Sequence, residues 1–120
     1  MGDYITQATL EQRMTPGTLY GLLQDVPMDQ RATVVEQIID RAEGRINGYA
    51  GRKYQIPLTY TGCIEEWSFV IAEYELYKRS QGNDVPAKYK ASFDDVVKLL
   101  KDVADGLFLI PDQVKLTRGS

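Results

Sequence analysis

Apolar residues recur at three- and four-residue steps along most of this chain, and strand-like alternation is nearly absent. The pattern predicts five helical segments. Thr6 caps a short first helix that reaches Met14 and is entered through Tyr4 and Ile5, before Thr15-Pro16-Gly17 breaks the run. Thr18 opens a second short piece, Leu19 to Leu23, which stops near Asp25-Val26-Pro27. Asp29 is placed to cap the third and longest helix, where Val35, Ile38, Ile39, Ala42, Ile46 and Tyr49 form one apolar face. Its regularity fades around Gly48 to Gly51, and it must end before Pro57. Thr61 caps a fourth helix on which Cys63, Ile64, Trp67, Val70, Ile71, Tyr74 and Tyr77 share a face. A turn at Gln81 to Asp84 follows, and Pro86 stands where the first turn of a fifth helix tolerates it. Tyr89, Phe93, Val96, Val97, Leu100, Val103 and Ala104 line that helix, and Gly106 ends it. The expected fold is all-α: a small bundle of four to five helices over residues 1–106, with an extended C-terminal tail over 107–120.

Three departures from a plain amphipathic pattern mark where function should sit. The fourth helix is apolar on more than one side, because Phe69 and Leu76 project almost opposite Trp67 and Tyr74. Either its own chain packs both faces, or Phe69 and Leu76, flanked by Glu65, Glu66 and Glu73, meet a neighbouring subunit. The third helix carries Gly44, Gly48 and Gly51 opposite its apolar face, each costing about 1 kcal/mol relative to alanine inside a helix. Either the helix frays there, or the bare surface admits another backbone. Arg41, Arg45 and Arg52 run beside those glycines as a basic stripe that can stay solvated, meet the acidic strip of another copy, or face DNA phosphates. Between the two helices, Tyr54, Pro57 and Leu58 form a proline-stiffened elbow. In the tail, Phe108, Leu109 and Ile110 need burial, either because Leu107 to Ile110 fold back at least in part onto the bundle or on a partner, while Val114 and Leu116 alternate with polar residues as an edge strand would. Residues 112–120, with few apolar groups, are expected to be disordered in the free chain.

Composition narrows the chemistry. The 120 residues contain no histidine, which removes the commonest general base and the commonest metal ligand. One cysteine, Cys63, cannot form an internal disulfide and offers zinc a poor ligand set. There is no glycine-rich phosphate loop and no nucleophile elbow. No catalytic residue, metal site or cofactor is therefore expected. A net charge of −3 argues against a protein whose main task is gripping nucleic acid. The N-terminus lacks a signal-peptide pattern, and no apolar run approaches the roughly 20 residues a membrane helix needs.

Several short pieces, in order, resemble the Mu-like prophage family of small head–tail connector proteins. They are Tyr4-Ile5-Thr6 with Leu10; Ala42, Ile46 and Tyr49; Arg52, Tyr54, Pro57 and Leu58; Ile71-Ala72 with Tyr74, Leu76 and Tyr77; Pro86 and Tyr89; and Ala104-Asp105-Gly106. Lys53 separates Arg52 from Tyr54, where the family pair is often adjacent. The resemblance implies a non-enzymatic virion protein at the head–tail junction, assembled in the bacterial host cytoplasm. Its implied partners are the portal protein and tail-side connector or terminator proteins. It further implies self-association into a ring of twelve-fold symmetry on the portal, possible non-specific contact with DNA in the channel, and no membrane. On that reading helices three and four meet neighbours and the tail reaches the portal or the next tail component. The alternative class is a helical DNA-binding or regulatory protein of a prophage.

Overall fold

The computed structural model describes residues 4–59, 61–111, 113 and 115. Five α-helices run in order: α1 (Gln7–Met14), α2 (Pro16–Gly21), α3 (Arg31–Ala50), α4 (Gly62–Gln81) and α5 (Ala87–Ala104). The all-α expectation holds. Thr6 caps α1 by accepting the Thr9 N–H, and Thr61 caps α4 by accepting from Ile64, as the spacing predicts.

Two starts differ from the sequence reading. The second helix begins at Pro16, not Thr18. Thr15 is its cap, accepting the Thr18 N–H, because proline at the first helical position loses only an N–H that would be orphaned anyway. Thr15 takes φ 67° to turn the chain between α1 and α2. Asp29 does not cap α3. It lies in a short 3-10 turn, Met28–Gln30, and α3 starts at Arg31 without a side-chain cap. Nor does α3 fray at its glycines; it continues to Ala50.

The three long helices form an antiparallel bundle in which α3, α4 and α5 each pack against the other two. Leu10, Leu19, Leu23, Val35, Ile39, Ile46, Ile64, Ile71, Leu76 and Leu100 are fully buried in one continuous core. Burial of each such side chain contributes roughly 1.5–3 kcal/mol. The two-sidedness of α4 is thereby explained within one chain: α1 and α3 cover one side, and α5 with the tail covers the other. Between α4 and α5 runs an aromatic seam. Tyr74 stacks on Phe93 at 4.0 Å, and Tyr77 stacks on Tyr89 at 4.2 Å. At the far end, Arg79 clasps Asp25 through two bonds of 3.0 and 2.9 Å, tying the loop after α2 to the end of α4.

The described part of the tail does not leave the bundle. Gly106, at φ 79°, lets the chain reverse, so that the Leu107 and Phe108 N–H groups donate to the Asp102 carbonyl. The segment then runs back over the elbow that joins α3 to α4. Of the tail residues singled out above, Val114 and Leu116 lie outside the described residues.

Candidate interaction surface at the elbow and tail

Antiparallel packing puts the end of α3, the start of α4 and the end of α5 at one end of a molecule measuring 52 × 28 × 19 Å. Two tyrosines from the apolar pattern hold the connections there. Tyr54 is buried, and its hydroxyl accepts the N–H of buried Ile110 at 2.9 Å. Tyr4 is buried beneath Leu58, accepts its N–H at 2.8 Å and donates to the Asn47 side chain. Below them Glu43, on α3, accepts the Tyr4 N–H at 2.7 Å and the Ile5 N–H at 3.3 Å. A buried carboxylate thus pins the start of the chain to the helix that leads into the elbow, a charge-assisted arrangement stronger than neutral bonds. Sequence reasoning missed Glu43. Its signal was its register: positions 39, 43, 46 and 50 share one face, and three of the four are apolar.

The tail is fastened by polar pairing. The Gln113 amide imitates a strand partner, donating to the Thr59 carbonyl and accepting the Thr59 N–H, each at 2.7 Å. Lys115 forms an isolated antiparallel bridge with Tyr54. Gln113 and Lys115 therefore sit against the elbow in the free chain, where disorder was expected, because Tyr54 and Thr59 supply partners for their backbone and amide groups. Phe108 packs edge-on against Trp67 at 6.1 Å, and Ile110 is buried. Leu109 instead faces solvent, 64 % exposed, as do Leu107 at 78 % and, on the elbow, Ile56 at 49 %. Leu107 and Ile56 were absent from the sequence candidates. The elbow itself splits the same way: Tyr54 and Leu58 are inside, Pro57 outside.

The interface candidates on α3 and α4 are largely engaged within the chain. Arg41 and Arg45 both reach Glu75 at 3.8 Å, and Arg45 also lies over the Phe93 ring. Glu66 pairs with Arg13 at 2.8 Å, and the Arg13 guanidinium stacks on Phe69. Phe69 is 7 % exposed and Leu76 fully buried, so neither presents an apolar patch to a neighbour. The correction has a simple cause: α1 folds over the side of α4 that helical periodicity alone leaves uncovered. Glu65 is half-buried and Arg52 stands exposed at the elbow. Glu73 is half-buried, and burial raises its carboxyl above the usual range against the pull of Arg13 and Lys88. On the outer side of α3, a Cβ placed on Gly44 or Gly48 would meet nothing within 4 Å.

Among the described residues no group of acidic or cysteine side chains is arranged to hold a metal, and no helix is long and apolar enough to cross a membrane. The surface can bind by shape, apolar contact and charge.

A family model described as Bacteriophage Mu, Gp36 matches residues 4–116, a span that includes the elbow and the tail. No curated protein matches the chain.

Proposed function

This chain belongs to the bacteriophage Mu Gp36 family, and from that premise we propose that it is a head–tail connector, a structural subunit that joins a phage head to its tail. On this reading it is no enzyme. Copies form a ring under the portal, the elbow-and-tail end docks on the portal or on the tail-side component, and the protein resides in the virion. The observation that carries the reading is the exposure of large aliphatic side chains on the elbow and tail. Ile56, Leu107 and Leu109 are held outward by a segment whose Tyr54, Phe108 and Ile110 are anchored inward. Large aliphatic side chains fixed in solvent cost free energy in the isolated chain, and a partner surface recovers it. The bare outer side of α3 around Gly44 and Gly48 suits close packing between neighbours in a ring.

Electron microscopy of the protein co-expressed with the portal encoded near it tests the proposal, with the free protein as control. An added ring on the portals is the expected image, and it should vanish for the Leu107→Asp, Leu109→Asp double variant while that protein stays folded. Portals that remain bare beside well-folded wild-type protein overturn the connector reading.

A further inference from the structure

At the elbow end, Lys53, Tyr54, Val103, Gly106, Leu109 and Lys115 line an open cleft of about 130 Å³. Its floor is apolar: the Tyr54 ring and Val103 are buried, and Leu109 forms an exposed rim. Two cations stand at its walls. Lys53 lies across Gly106, its Cε and Nζ within 3.8 Å of where a Cβ would be, in ordinary van der Waals contact. Lys115 is held opposite by its bridge to Tyr54. Among the described residues neither lysine makes an ion pair, whereas Arg13, Arg79 and Lys90 each meet a carboxylate at 3.0 Å or less. In a chain of net charge −3, two unpaired ammonium groups flanking one apolar cleft form a local positive site.

We infer that this cleft binds a short acidic and aliphatic segment of another protein, its carboxylates meeting Lys53 and Lys115 and its aliphatic side chain lying on Tyr54, Val103 and Leu109. Charge complementarity selects the acidic side chains, and the apolar floor selects a peptide over nucleic acid, whose phosphate backbone has no aliphatic group to bury there. The inference leans on the connector reading only for which virion protein supplies the segment.

The test uses the full chain, labelled with nitrogen-15, and two soluble probes: the capped peptides Asp-Leu-Asp-Leu-Asp and Lys-Leu-Lys-Leu-Lys. The acidic peptide should shift the amides of Lys53, Tyr54, Gly106 and Leu109 saturably, and more weakly as salt is raised. The Lys53→Glu, Lys115→Glu variant should weaken that binding at least about tenfold, and Leu109→Ser should weaken it while leaving the charge intact. Both changes are at exposed side chains, so spectra elsewhere should be retained. No saturable shift, equal binding of the basic peptide, or stronger shifts of the same amides by a short DNA duplex would each overturn the inference. So would concentration-dependent shifts of these amides without any peptide, which would assign the cleft to a second copy. No portal is present in this measurement, so the cleft and the connector reading can fail separately.

Discussion

Replacing Tyr54 by Phe removes one oxygen atom from the buried joint between elbow and tail and leaves the ring in place. That oxygen accepts the N–H of Ile110, and both residues are buried, at 2 % and 4 % exposure, so no water can take over the bond. A buried donor left without a partner costs about 1–3 kcal/mol. With an unfolding entropy of about 2.1 cal/mol/K per residue, a chain of this length loses about 4 °C of Tm per kcal/mol, so the expected drop is about 4–12 °C. Thermal unfolding followed by circular dichroism reads the global cost. Amide exchange at Ile110 reads the local one, which should accelerate roughly in proportion to the same free energy, about 5- to 150-fold. The tail lies near the C-terminal end of the chain and can open without the bundle, so exchange is the decisive reading. An Ile110 amide as protected as in the wild type, with Tm unchanged within about 1 °C, would refute the joint described here.

Ending the chain after Gly106 should lower stability by about 3–5 kcal/mol, because it uncovers Trp67 and removes buried Ile110 and half-buried Phe108; denaturant unfolding checks this, and an unaltered midpoint would mean that the tail contributes nothing to the fold. Tyr77 is half-buried and stacked on Tyr89, and desolvation, with its hydrogen bond to Tyr89, pushes its phenol up to about 12. Its folded pKa exceeds the unfolded value of about 10, so the stability it contributes is complete below pH 10 and lost as pH rises toward 12; an ultraviolet alkaline titration should show a late-ionising phenol that Tyr77→Phe abolishes. Asp25 behaves in the opposite sense. The Arg79 guanidinium bonded to it holds its carboxyl below the usual range, so its contribution is present above about pH 4 and fades as pH falls through the lowered value; Arg79→Gln should bring the Asp25 titration, followed by NMR, back toward 4. Arg45→Glu places a second carboxylate beside Glu75 and should destabilise the bundle itself, with Glu75→Arg in the same chain restoring part of the loss; a coupling of about 0.2–1 kcal/mol is expected from the double-mutant cycle.

The helices and their inward faces were legible in the chain because they follow from local rules. A period of 3.6 residues marks α3, α4 and α5, Thr6 and Thr61 act within three residues of themselves, and Gly106 stops α5 as its position suggests. Where two local rules compete, residue type alone misplaces a start: Thr18 and Asp29 suit helix starts by type, but Pro16 and the turn at Met28–Gln30 displace both.

Periodicity states that a residue faces inward or outward from its own helix, and it cannot say what lies on the other side. The outward side of α4 looked like an interface until α1 covered Phe69 and the core took Leu76. Arg41 and Arg45 looked free until Glu75 arrived from a helix some thirty residues away. A fold-back of Leu107 to Ile110 was legible from their apolar character, but the partners were not, because Tyr54 and Thr59 are separated from Ile110 and Gln113 by more than fifty positions. Local sequence therefore determined the all-α class, the elbow and the absence of histidine chemistry, since each depends on neighbours in the chain. Only the tertiary structure decided which apolar and charged groups remain for a partner, because exposure is a property of the whole packed molecule and not of any single helix.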